Sequence, residues 1–342
     1  MQKIRHWFAG LAATLFSLFV LLPVGLWGAM ALWFRAPGPD WLRFVVAGGF
    51  GLLALAALAG LWTGRRRWML GLFALAFGGL LLWWGTLKPP AEADWSPDVA
   101  RQVTGVVEGD KLTLTNVRDF DWKSRTEADE RWTTESYDLS KLRELDLFLA
   151  YWAGPEMTHP IMSFGFEDGR WIAWSIEVRS LRGGEFAPIA DLFRNSALVI
   201  IASDERDVVR LRSNIRKEDV QLYRLNAPPD VARTILLQYV AESNALAAEP
   251  RFYNSLTTNC TTFLVKMIRA AGGHMPFDWR LIVNGFLPSW LHDRGAVDTR
   301  LSLEELRERG RIGARAQQAG GSPDFSRIIR EGVPAPIQLG PR

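Results

Sequence analysis

The chain has 342 residues, a formal net charge of +3 and 48% apolar residues. Residues 1–90 contain a single acidic residue, Asp40, whereas both signs of charge recur throughout the remainder. This division excludes a uniformly water-soluble chain, and the lack of a basic stripe interleaved with aromatics argues against a nucleic-acid partner.

Three apolar runs lie within the first 90 residues, at 7–33, 44–62 and 68–87, each near the roughly 20 residues that a membrane-spanning helix needs. Trp7, Trp33, Trp62, Trp68, Trp83 and Trp84 fall where an interfacial aromatic belt is expected. Pro23 lies inside the first run, and Gly60, Gly71, Gly78 and Gly79 are candidates for close helix approach. Lys3 and Arg5 precede the first span, and Arg65, Arg66 and Arg67 separate the second from the third. The positive-inside rule then predicts a cytoplasmic N-terminus and a domain exported beyond Lys88 into the periplasm of a cell with an inner membrane. A cleaved signal peptide fits less well, because the first run is long for an h-region and two more follow it.

After Pro89-Pro90 the chain divides into a linker and hairpin at 91–118 and a soluble domain at 119–342. Residues 103–107 and 111–115 flank Glu108-Gly109-Asp110 as a hairpin, and 160–166 and 171–179 flank a second turn at 167–170. Further strands are expected at 145–152, 198–202 and 220–225. A helix is expected between Pro228 and Glu249, where Val231, Ile235, Leu236, Tyr239 and Val240 recur at helical spacing. A second helix runs from Cys260 to Ala271, and a short one at 303–307 precedes a polar Gly/Ser stretch and a Pro-rich end. Strands followed by helices predict an α+β domain.

Cys260 is the only cysteine, so no intrachain disulfide can form. Thr258 and Asn259 are capping residues, which puts Cys260 in the first turn of its helix. Free N–H groups and the helix dipole favour a thiolate there and can hold an oxyanion. The ordinary fate of a lone cysteine is burial as a small apolar side chain. Chemistry requires a base, and the exported part offers His159, His274 and His292. His274 follows two glycines at a helix end and His292 lies in an expected surface turn.

His159 opens a strand, and its partner depends on hairpin register. A three-residue loop Glu167-Asp168-Gly169 with a left-handed glycine pairs Phe166 with Arg170 and sets His159 opposite Glu177. Opposite residues share a face, so Glu177 can then hold the imidazole tautomer. A two-residue loop turns Glu177 away. The charged stretch 204–216 reads as a solvated face, with Arg206, Arg210 and Arg212 available to anionic lipid heads. No metal-ligand spacing, phosphate loop or serine elbow is visible, so neither metal nor cofactor is expected.

The run His159-Pro160-Ile161-Met162-Ser163-Phe164-Gly165-Phe166, then Ser175-Ile176-Glu177-Val178-Arg179 and Asn259-Cys260-Thr261-Thr262, resembles the periplasmic domain at the N-terminus of the bacterial lipoprotein N-acyltransferase Lnb family. The segments 211–216 and 223–225 share the likeness, which covers roughly residues 119–330. The resemblance implies a circularly permuted papain-like, NlpC-related fold, with Cys260 as acyl-accepting nucleophile, His159 as base and Glu177 as third group. It implies acyl transfer to the α-amine of a lipoprotein, with membrane lipid and lipoproteins as partners. In that family the periplasmic domain precedes the spans, whereas here the spans come first. Two other readings remain: a thiol hydrolase acting on envelope amides, and a non-catalytic envelope binding module.

Overall fold

The computed structural model describes residues 10–12, 14–184, 186–272 and 276–335, so Lys3, Arg5, Trp7 and His274 lie outside the described residues. Three helices are long and apolar enough to cross a membrane: Gly10–Arg35, Asp40–Gly60 and Arg66–Thr86. They include terminal charges that the apolar runs leave out, because backbone hydrogen bonding does not stop at the last apolar residue. Their outward side chains are large and apolar, among them Phe19, Phe44, Leu52, Trp68 and Leu82, all exposed. Such exposure is stable in lipid and unfavourable in water.

Helix contact rests on Gly60, as expected, and on two glycines of the first span in place of the other three. A Cβ on Gly28 would stand 2.3 Å from Phe50, and one on Gly25 would stand 2.6 Å from Ala54. Gly60 is similarly close to Met69, but Gly71, Gly78 and Gly79 face open space. The third helix therefore turns its glycines away from its neighbours. Just before Pro23, the turn Ser17–Leu21 widens to a π-helix, a local adjustment suited to a residue that cannot donate.

The segment Ala187–Asn195, distant in sequence, packs with these helices as one compact unit. Phe193 stacks on Phe34 at 5.4 Å. The Arg194 guanidinium lies 4.9 Å from the centre of the Trp84 ring and donates to the Trp84 carbonyl.

The second unit combines Pro90–Phe186 with the chain from Ser196 onward. It is a mixed α+β domain built on ten strands: β1 (Thr104–Glu108), β2 (Lys111–Arg118), β3 (Asp121–Trp122), β4 (Ala128–Asp129), β5 (Trp132–Asp138), β6 (Leu142–Tyr151), β7 (Thr158–Phe166), β8 (Trp171–Arg179), β9 (Ala197–Ser203) and β10 (Asp219–Arg224). The main sheet has the order β1-β2-β9-β8-β7-β6-β10, with β5 added against β2, while β3 and β4 form a separate pair. The hairpin at 104–118 is thus part of the main sheet. The short β3 and β4 and the polar β5 escape sequence reading because none has an alternating apolar pattern.

Alternation along the strands divides two cores. Met162, Phe164, Trp174, Leu147 and Leu149 share one face with Ile235, Leu236 and Tyr239 of the helix Pro229–Ala248 and with Phe263, Leu264 and Met267 of the helix Cys260–Ala270. Ile161, Ala173, Phe148 and Ala150 share the other with Val208 and Val209 of the helix Glu205–Arg210. Ile312 and the C-terminal helices Gly313–Ala319 and Phe325–Ile328 complete that second core, with Ala316 and Phe325 fully buried. Among the described residues the tail therefore carries three helices, the first being Leu303–Gly310.

The stretch 204–216 is not a solvated face. Glu205 and Asp207 are fully buried and Arg212 nearly so. Each finds partners in the tertiary fold that no local pattern announces. Arg118 donates twice to Asp207, at 2.7 and 2.9 Å. Asp207 also accepts from Trp122 Nε1 at 2.7 Å and from the Phe120 amide at 3.0 Å. Glu205 and Asp146 hold Arg330 of the C-terminal segment, with contacts of 2.6 and 2.8 Å. Burial pushes the Asp146 carboxyl up to about 6, against the pull of Arg330 and Arg224.

Asp207→Ala would strand the Arg118 guanidinium, which is 3% exposed, together with the Trp122 and Phe120 donors. The expected loss is about 3–5 kcal/mol, read as a lower denaturant midpoint of the full chain at unchanged slope.

Candidate functional site

Hairpin register brings the first two residues of the site together. Gly169 has φ +81°, and the Phe166 amide donates to the Arg170 carbonyl at 3.0 Å. This is the three-residue loop, the only one of the two registers that turns Glu177 towards His159. Ile161 pairs with Ser175 and Gly165 with Trp171, so counting back along the same register sets His159 opposite Glu177. Pairing with β8 is made only from Ile161 onward, beside Pro160, which has no N–H to contribute. At this frayed end the side chains face one another across the gap.

His159 Nε2 lies 3.1 Å from Glu177 Oε1 and 2.7 Å from Ser175 Oγ. Ser175 Oγ donates to Glu177 Oε1 at 2.6 Å. Ser175 occurs in the sequence motif, but its role as a bridge emerges only from the register. An ionised Glu177 needs donors, which fixes the hydrogen on Nε2 and leaves Nδ1 with its lone pair.

Arg212 completes the electrostatic arrangement. Its Nη2 lies 3.4 Å from Glu177 Oε1 and its Nη1 3.2 Å from Glu218 Oε2. Burial and Arg212 both oppose protonation of His159, yet Glu177 and hydrogen bonding with the Cys260 thiol outweigh them and raise the imidazole pKa. Burial alone would raise the Glu177 pKa. His159, Arg212 and the Ser175 hydrogen bond instead hold the carboxyl well below the usual carboxylate range. Arg212 serves here as a buried counter-ion, a role hidden while its stretch reads as a charged surface.

Cys260 is the first residue of the helix Cys260–Ala270. Asn259 Oδ1 accepts from the amides of Thr261 and Thr262 at 3.0 and 2.9 Å, and Thr262 Oγ1 accepts from the Asn259 amide at 2.9 Å. This capping box satisfies two of the first-turn amides. The Cys260 amide has no partner among the described residues. Cys260 is itself half-buried.

The meeting of thiol and imidazole is not a contact on one sheet face. The Cys260 helix packs on the face of Met162 and Phe164, whereas strand alternation gives His159 the face of Ile161. They meet at the end of the strands, where pairing between β7 and β8 has stopped.

Asn284 holds that end in place, and sequence reading missed it. Its Oδ1 accepts from the Thr158 amide at 2.7 Å. Its Nδ2 donates to the Thr158 carbonyl at 2.8 Å and to Thr261 Oγ1 at 2.7 Å. One buried amide thus ties the residue before His159 to the residue after Cys260. The neighbouring Gly285 packs so closely that a Cβ would stand 1.9 Å from the Pro155 carbonyl oxygen. An asparagine in a loop gives no local pattern from which this could be read.

His292 lies in the helix Leu287–Asp293, not in a surface turn, and its Nε2 stands 3.0 Å from the Leu301 carbonyl. Among the described residues, no group of three or more His, Cys, Asp or Glu side chains is placed to hold a metal ion.

These features define a membrane-anchored protein whose α+β domain gathers a thiol, an imidazole and a carboxylate at one end of its sheet. Residues 128–285 match the family model of the Lnb N-terminal periplasmic domain, bearing out the resemblance seen in the motifs. The matched span contains His159, Ser175, Glu177, Arg212, Cys260 and Asn284. No curated protein matches the chain, and no solved structure matches it. The likeness to that periplasmic domain is thus carried by the central part of the chain.

Two outcomes follow from the site. His159 has a raised folded-state pKa, so its stabilising contribution is complete below the unfolded imidazole value of about 6.5 and is lost as pH rises through the folded value. The depressed Glu177 contributes above the ordinary carboxylate range, and that part is lost only as pH falls through its lower folded value. Glu177→Gln should therefore lower the His159 pKa, measured by NMR of labelled histidine, and should flatten the loss of thermal stability above about pH 6.5. Asn284→Ala should cost about 1–3 kcal/mol by leaving Thr158 and Thr261 groups unpaired. It should also slow alkylation of Cys260 at a pH where the variant is still folded.

Proposed function

We propose that the domain is a membrane-anchored cysteine acyltransferase that moves an acyl chain from a lipid to the α-amine of a lipoprotein. The observation that carries this reading is that the Cys260 thiol lies close enough to raise the His159 pKa, while His159 Nε2 stands 3.1 Å from Glu177 Oε1. A structural cysteine has no need of an imidazole whose Nε2 is held by a carboxylate and a hydroxyl.

The chemistry follows from the proton positions. Nδ1 of His159 takes the Cys260 proton as the sulfur attacks the acyl-ester carbonyl of the donor. The unpartnered Cys260 amide offers one donor to the developing oxyanion. Glu177 stabilises the imidazolium, which then protonates the departing alcohol, leaving an acyl thioester on Cys260. His159 next accepts a proton from the attacking amine. The C–S bond breaks, the amide product leaves, and the imidazolium returns a proton to the thiolate. Arg212 keeps Glu177 ionised throughout, while Ser175 and Glu177 prevent the ring from turning.

The order of His159 on a strand before Cys260 on a helix supports a permuted papain-like relationship. The three arginines at 65–67 support a cytoplasmic turn between the second and third spans, with a cytoplasmic N-terminus and the domain in the periplasm.

The test uses the full-length protein in lipid with a phospholipid that carries a fluorescent acyl chain. Wild type should acquire a hydroxylamine-labile label that Cys260→Ser lacks, and His159→Ala should form it about 10²–10⁴-fold more slowly. Transfer of the label to an amine acceptor supports the transferase; release only as free fatty acid supports a hydrolase. An unlabelled Cys260 would remove the thiol chemistry and leave a binding role.

A further inference from the structure

The sheet end that holds Cys260 and His159 has an inverted surface. In the segment 277–282, Phe277, Trp279 and Ile282 are 79%, 55% and 63% exposed. The charges between them pair with each other and with Asp293. Arg280 donates to Asp278 at 2.8 Å and to Asp293 at 2.6 Å, and the Asp278 and Arg280 side chains are only 19% and 18% exposed. A loop adapted to water would reverse this choice.

The neighbouring loops at the same end also expose apolar side chains, beside the exposed Arg182–Asp94 pair. Leu256, four residues before Cys260, is 64% exposed. Trp152, just after β6, and Phe186, between β8 and β9, are 43% and 44% exposed and pack edge to face at 5.8 Å. These loops share one end because β6 finishes there, β7 starts there, β8 finishes there and β9 starts there. The Tyr253 amide donates to the Ser196 carbonyl at 3.0 Å, which brings the segment before Cys260 to the same place. At the opposite end the β7–β8 turn is polar, with Glu167 paired to Arg143 and Asp168 to Arg170.

Chain connectivity identifies the occupant. The chain passes between the domain and the unit of spanning helices at Pro89–Pro90, Phe186–Ala187 and Asn195–Ser196. The first passage reaches the domain beside Trp95, which bridges to Leu181 just beyond β8. The other two bracket the segment between β8 and β9. All three therefore enter the domain at the end that bears the apolar loops.

We propose that Trp152, Phe186, Leu256, Phe277, Trp279 and Ile282 form a rim seated in the interfacial layer of the bilayer. Aromatic and aliphatic side chains favour that depth, and single weak insertions suffice where spanning helices already hold the protein at the surface. The rim opens the Cys260 site at the level of lipid ester groups instead of bulk water. The proposal does not depend on acyl transfer, because its test reads depth and not turnover.

Single nitroxide labels would be placed at Leu256→Cys, Phe277→Cys and Ile282→Cys in a Cys260→Ser background. The full chain would be reconstituted in vesicles of phosphatidylethanolamine and phosphatidylglycerol. Relaxation by dissolved oxygen and by a water-soluble nickel chelate would be compared with a label at Asp168→Cys, at the opposite end of the sheet. The expected result is enhanced oxygen relaxation and lost nickel relaxation at the three rim positions, with the reverse at 168. Nickel relaxation at the rim equal to that at 168 would place the loops in water and overturn the proposal. Shielding from both reagents would mean that protein, and not lipid, covers the rim, and would overturn it as well. The three exposed positions are read separately, so one misfolded variant does not decide the outcome.

Discussion

Glu177 is a half-buried carboxylate that stays ionised, and the arrangement around Cys260 depends on it. A carboxylate removed from water becomes protonated unless cations and donors replace its hydration. Here Arg212, His159 and Ser175 provide that replacement. The same contacts fix the hydrogen on His159 Nε2 and raise the imidazole pKa. Neutralising Glu177 would release the ring, and removing Arg212 would leave two carboxylates facing one another with less reason to ionise.

Several distant segments must be in place before that carboxylate can exist. The loop at Glu167–Gly169 sets the register of β7 and β8, and a shift of one residue would turn Glu177 to the other face. The helix Glu205–Arg210 and its π-helical continuation deliver Arg212. Asn284 ties the start of β7 to the start of the Cys260 helix. Further away, the buried pairs Arg118–Asp207 and Arg330–Glu205 hold the layer behind Arg212. Such pairs contribute little net stability compared with apolar packing, but losing one partner is costly, so they enforce one arrangement.

The position of the site at the sheet end has a functional consequence. A thiol under one face of the sheet would be enclosed by the core. A thiol at the helix start, near an imidazole from the opposite face where strand pairing stops, stays half-buried. The loops at that end expose apolar side chains, and in the segment 277–282 Asp278 and Arg280 pair with each other. The thiol, the imidazole and the exposed apolar loops thus occupy the same end of the sheet.

Much of this was legible from residue order alone. Three long apolar runs dictate spanning helices because lipid leaves the backbone few other ways to satisfy its hydrogen bonds. The β7–β8 hairpin, the helix Pro229–Ala248 and the capped helix start at Cys260 follow from turn residues, alternation and caps, which act over a few residues. The facing of His159 and Glu177 was readable for the same reason, once the glycine loop fixed the register. Only the tertiary structure decided that Arg212 is a buried counter-ion, that Ser175 bridges His159 and Glu177, and that Asn284 joins the two halves of the site. It also decided which glycines, Gly25 and Gly28 among them, bring the spanning helices together. Each of these depends on partners far away in sequence, and a charge, an amide or a missing Cβ carries no local sign of what it will meet.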